Sequence, residues 1–201
     1  MKRIMIFLVL AVALLLAGCG NKADTESKNK DKNDTEQATT KQSDTESKAK
    51  DGDPDGPLKL HVLKADQEAG ATVENHPIYS GMQKFVNKYP DEGTKGDYSV
   101  TVVDATNPKD GKADLILLGI NRLPAAIKDV SFNITVGDKS GHYVVKDHKV
   151  EIPAEAMGVL KPGYGHPILV PITDEELENL TKLDAQTRFV DLKDTKVSKA
   201  E

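Results

Sequence analysis

The chain has a single cysteine, no tryptophan, and only five tyrosines and four phenylalanines among its 201 residues. One cysteine cannot close a disulfide within its own chain. It also excludes the Cys-x-x-Cys pairs from which structural zinc sites and dithiol redox centres are built. Without tryptophan, a core must be assembled mainly from Val, Ile and Leu, and the disulfide-and-tryptophan centre of antibody domains is ruled out. The five histidines, His61, His76, His142, His148 and His166, form neither a His-x-His pair nor a His-Glu-x-x-His helix motif. No serine stands in a Gly-x-Ser-x-Gly elbow. Adjacent carboxylates such as Asp91–Glu92 and Glu175–Glu176 lie in polar stretches, without the apolar surroundings that raise a carboxyl group into acid catalysis. Positive charge is not concentrated either: 27 Lys and Arg against 32 Asp and Glu leave a net charge of −5, which argues against a nucleic-acid surface. These absences predict no hydrolase or redox chemistry and no cofactor.

The cysteine that is present has a particular setting. Lys2 and Arg3 form a short basic head, followed by an unbroken apolar run of fourteen residues from Ile4 to Ala17. That run falls short of the roughly 20 residues that span a bilayer, and matches the apolar region of a secretory signal. Leu16-Ala17-Gly18-Cys19 resembles the lipobox of bacterial lipoproteins. The resemblance implies a diacylglycerol on the Cys19 sulfur, cleavage before Cys19, and a mature protein held on the extracytoplasmic face of the cell membrane. Residues 1–18 are then a lipoprotein signal peptide. Two or more acyl chains, each methylene contributing about 0.8 kcal/mol, hold where a single chain dissociates.

Residues 19–57 read as the lipidated cysteine and a disordered, low-complexity tether. From Asn21 to Pro57 the only apolar side chains besides proline are Ala23, Ala38 and Ala49, and seven lysines face ten carboxylates. Such a segment buries too little surface to offset the entropy of ordering. Asp-Thr-Glu recurs at 24, 34 and 44, a spacer repeat with no apolar stripe. As a flexible coil the tether spans on the order of 30–35 Å, a length that holds a domain off a membrane. Asp51 to Pro57 is a turn-rich boundary.

Residues 58–201 read as one extracellular domain, mainly β. Alternation predicts strands at 58–65, 98–105, 114–123, 127–136, within 142–153, at 168–172 and at 188–197, with hairpin chemistry at 137–141. Pro171 places the strand 168–172 near a sheet edge. Ile78, Met82, Phe85, Val86 and Tyr89 share one helical face, so 78–89 is a short helix, weakened by Gly81 and stopped by Pro90. Thr173 and Glu176 have capping-box spacing at the head of a second helix. His76-Pro77 and His166-Pro167 read as points where the chain turns. The expected fold is an antiparallel, immunoglobulin-like sandwich with one or two short helices.

Residues 114–172, with LILLGINRLPAAIKDVSFNITVGDKSGHYVV and GVLKPGYGHPILVPI, resemble small extracellular sandwich domains of Gram-positive lipoproteins and S-layer-associated proteins. That likeness implies a fold and a compartment and carries over no catalytic residue. Within the domain, Lys161–Pro167 is the most distinctive loop, and Tyr164 between Gly163 and Gly165 is the candidate for recognition, alongside the plainer reading of a simple connection. His142 and His148, with Asp138 and Asp147, are the residues from which a surface metal site would be assembled. Asp104, Asn107, Asp110 and Asp114 surround one turn, but counting back from Gly111 does not give the frame of a calcium loop. The expected function is that of a surface-displayed lipoprotein whose non-catalytic domain is structural or binds an envelope protein or wall component. The alternative is a lipid-anchored metal-binding protein or an enzyme built from scattered His and Asp residues.

Overall fold

The computed structural model describes residues 52–184 and 186–201. The expected signal peptide, Cys19 and the expected tether as far as Asp51 lie outside the described residues. In chain order the elements are β1 (Lys59–Leu60), α1 (Lys64–Glu68), α2 (Pro77–Lys88), β2 (Tyr98–Ala105), β3 (Lys112–Asn121), β4 (Ile127–Asp138), β5 (Tyr143–Ile152), α3 (Ala154–Met157), β6 (Tyr164–Thr173), α4 (Asp174–Lys182) and β7 (Arg188–Lys199). One sheet has the order β1-β6-β3-β2 and the other β5-β4-β7. All pairings are antiparallel except that of β1 with β6. The architecture is therefore mixed α/β, with two largely antiparallel sheets and several helices.

The alternating apolar residues of β4, Val130, Phe132, Ile134 and Val136, face Leu115 and Leu117 of β3 and Ile168, Val170 and Ile172 of β6 in one buried cluster. The other side of β3, with Ile116, Leu118 and Ile120, packs with Met82 and Val86 of α2. This explains why β3 reads as a nearly continuous apolar run: it is covered on both faces. In contrast, β4 carries Ser131, Asn133 and Thr135 on its outer side, paired across to Lys196, Lys193 and Asp191 of β7. Charged residues on this edge strand discourage further strand pairing there.

The helix expected at 78–89 is α2, with Pro77 at its first position and Tyr79, Met82 and Val86 buried. Tyr89, expected on the buried face, is instead 42% exposed, because the helix ends before it. In α4 the Thr173 side chain accepts from the Glu176 N–H and the Glu176 carboxylate accepts from the Thr173 N–H, completing the capping box. Two expectations need correction. The strand read at 58–65 pairs only over Lys59–Leu60 and passes into α1 from Lys64; Lys64, Ala65, Gln67 and Glu68 are helix formers, and Leu63 already reaches the core. Four helical segments occur among the described residues instead of one or two. No helix among them is long and apolar enough to cross a membrane.

Candidate functional site

A cleft of about 380 Å³ opens where β5 and β6 diverge under α1 and α2. Val150 and Ile152 of β5, Ile168 and Leu169 of β6, and Leu63 and Ile78 give it apolar walls. Its polar groups are organised by the helices. Tyr79 donates its hydroxyl hydrogen to Asp66 Oδ2 at 2.6 Å and accepts from the Leu63 N–H at 2.9 Å. Burial and the adjacent carboxylate both raise the Tyr79 phenol well above its ordinary range, so it stays neutral. His76 stacks edge-on against Tyr79 with ring centroids 5.3 Å apart, and its Nδ1 is buried without a hydrogen-bond partner. His148 stands on the opposite wall. A mostly apolar recess of this volume with a few convergent polar groups has the properties of a ligand site. Tyr79 lies outside the helical face read from the sequence (Ile78, Met82, Phe85, Val86 and Tyr89), and its pairing with Asp66, which bridges two helices, left no sequence pattern.

The end of β3 is organised by two buried polar residues. Asn121 donates through Nδ2 to the carbonyls of Ala125 and Leu160, and its Oδ1 accepts from the Leu123 N–H. Arg122, 4% exposed, donates to the carbonyls of Pro54 (2.9 Å), Gly56 (2.6 Å), Pro90 (3.0 Å) and, twice, Glu92 (3.1 and 2.9 Å). The planar guanidinium fork suits this cage, which the three rotatable donors of a lysine could not reproduce. Residues 52–57, read from sequence as the end of the tether, are thus fastened to the domain.

Tyr164, expected in an exposed loop, opens β6 instead. It is half-buried against the core, with Lys59 Nζ 5.7 Å from its ring centroid. Gly163 has φ +75°, and a Cβ there would lie 2.2 Å from the Asp53 carbonyl oxygen; one at Gly165 would lie 2.9 Å from Leu118 Cδ1. Both glycines make room for this chain's own atoms. His166-Pro167 does not turn the chain but lies inside β6, since a residue before proline favours extended backbone. His166 is fully buried. Its Nδ1 is 3.1 Å from the Pro167 carbonyl, which can only accept, so Nδ1 carries the proton and Nε2 accepts from the Tyr98 hydroxyl at 2.8 Å. Gly119 leaves the space for that pair, as a Cβ there would come 2.2 Å from the Tyr98 hydroxyl.

The residues considered for a metal site separate. His142 Nδ1 is 3.0 Å from Asp138 Oδ2, and Asp138 also accepts from the N–H groups of Ser140, His142 and Asp184. The His142 hydrogen bond is the main cause holding the Asp138 carboxyl down at about 2. His148, by contrast, faces the cleft, and Asp147 sits at φ +52° with its N–H bonded to Thr135. Among the described residues no three His, Cys, Asp or Glu side chains gather around a common point. At the turn 106–112, Thr106 binds Asp114 through its hydroxyl and its N–H, and Lys109 pairs with Lys112. No protein-family model, no curated protein and no solved structure matches the chain.

Proposed function

We propose that this chain is a lipid-anchored, non-catalytic binding domain displayed on the extracytoplasmic face of a cell membrane, with the cleft between β5 and β6 as its binding site. The observation that carries the binding reading is the cleft itself: apolar walls, about 380 Å³ of room, and a few polar groups that converge on it. Its strongest polar pair favours binding over catalysis, because the Tyr79 hydroxyl is neutral and already committed to Asp66 and Leu63. The anchor rests on Leu16-Ala17-Gly18-Cys19 behind a basic head and an apolar run. Residues 1–18 are the removed signal, residues from Cys19 onward the tether, and two sheets facing across one core support an immunoglobulin-like sandwich. An envelope protein or wall component is the class of partner this placement brings within reach.

Two measurements test this. Cells fed a palmitate analogue should label the wild-type chain and not Cys19→Ala; label retained on the variant would sink the anchor. Methyl resonances of Ile78, Ile152 and Ile168 in the full-length chain in detergent should shift on adding peptides, wall fragments or small apolar compounds. Ligands that shift residues around Tyr164 and leave these methyls unmoved would place the site elsewhere.

A further inference from the structure

The ligand class for this cleft can be read from the open edge of β6. Strand β1 covers that edge only at its start: the Lys59 N–H donates to Gly163 and the His61 N–H to Gly165, after which the chain departs toward α1. From Gly165 onward, odd-numbered residues of β6 therefore turn their backbone groups away from β3. Pro167 and Pro171 follow this rule, since neither has an N–H to give to the β3 ladder opposite Leu118 and Asp114. Between them Leu169 shares their register, opposite Ile116, so its N–H and carbonyl point along the sheet plane into the cleft. The Leu169 side chain is 46% exposed, on the side of the sheet where Ile116 packs with α2. Ile168, its neighbour, faces the core side, where Val150 and Ile152 also belong. The two prolines remove every other outward N–H near that position.

Resting on the binding reading above, we propose that the cleft takes an extended peptide segment of a partner protein, added to β6 as a continuation of the position that β1 abandons. The guest pairs with the Leu169 N–H and carbonyl. Successive guest side chains alternate, one onto Ile168, Val150 and Ile152, the next beside Leu169 and Ile78. The charge of the walls selects an uncharged, apolar guest: Lys149 pairs with Glu151 at 2.6 Å, and Asp66 is bound by Tyr79.

The probes are end-blocked seven-residue peptides alternating Val with Thr, and the same peptides with every second amide N-methylated, titrated into the full-length chain in detergent. Unmodified peptides should bind and slow exchange of the Leu169 amide, and one of the two N-methyl registers should lose at least tenfold in affinity. Leu169→Pro removes the N–H offered to the guest without removing a bond to β3 and should lose tenfold or more, while Leu169→Ala, which trims a side-chain contact and keeps the N–H, should lose clearly less than Leu169→Pro. If Leu169→Pro fails to fold, the N-methylated series on the unaltered chain decides alone. Equal affinity for both N-methyl registers and the parent peptide would overturn strand addition. So would self-association of the chain abolished by Leu169→Pro, which would make the occupant a second copy. Small apolar fragments that shift the Ile152 and Ile168 methyls when no peptide does would overturn the peptide and leave the binding cleft standing. Silence from both would remove the two together.

Discussion

Arg122 sends five hydrogen bonds to carbonyls of two segments more than thirty residues apart in sequence, 54–56 and 90–92. Arg122→Met would take this donor from the Pro54, Gly56 and Glu92 carbonyls, while Pro90 keeps the Leu58 N–H, at about 1–3 kcal/mol for each carbonyl that water cannot reach. A total loss above about 3 kcal/mol in denaturant unfolding is expected, and a loss under 1 kcal/mol would show that water replaces the cage. Arg122→Lys should recover only part of it. His166 gives the domain its acid sensitivity. Burial is the main cause that lowers its pKa from 6.5 to about 4, so the folded chain refuses a proton that the unfolded chain accepts. The stabilisation is complete above pH 6.5 and declines as pH falls toward 4, by about 3 kcal/mol in all. Asp138 acts in the next window: its depressed carboxyl stabilises above pH 3.8 and loses that effect as pH falls toward 2. Stability of His166→Gln followed against pH should be lower at neutrality and nearly flat, relative to the unaltered chain, between pH 6.5 and 4. An unchanged slope would remove His166 from this role.

At the scale of elements, α2 and α4 offer paired tests. Gly81 is an exposed position within α2, and a Cβ there meets nothing within 4 Å. Gly81→Ala should stabilise by about 0.5–1 kcal/mol, seen as a higher Tm. Thr173→Ala removes the cap of α4 and should cost about 1 kcal/mol. Both elements were legible because their signals are local: a 3.6-residue apolar period ending at Pro90, and a threonine three residues before a glutamate. The strands β2, β3, β4 and β7 were legible through alternation or continuous apolar runs, and Pro171 marked β6 as open-edged. The cleft was not, since it exists only where Leu63, Tyr79, Val150 and Leu169 meet from four elements. Residues 58–65 misled because Leu58, Leu60 and Val62 alternate like a strand while only two residues find a partner. The placement of Tyr164 in an exposed loop misled for a related reason: flanking glycines signal close approach, and sequence does not say whose atoms approach.

For the whole molecule, the folded unit should include Pro54 and Gly56 rather than begin at Leu58. A chain starting at Gly52 keeps the Pro54 and Gly56 carbonyls that Arg122 holds; one starting at Leu58 leaves two of the guanidinium's bonds unmade. The longer form should exceed the shorter in stability by about 2 kcal/mol or more, and equal midpoints in urea would place the boundary back at 58.

The same fastening determines how the domain answers a pull. Under the proposed anchor, force arrives from the N-terminal side and reaches Pro54 and Gly56 before it reaches β1. Arg122 grips both carbonyls and, through Pro90 and Glu92, the segment that follows α2. Tension is thereby shared between two stretches of backbone at the end of β3, the strand covered on both faces, and spared from the two-residue β1. The guanidinium works as a strain relief, like the clamp that keeps a tugged cable from tearing at its solder joint.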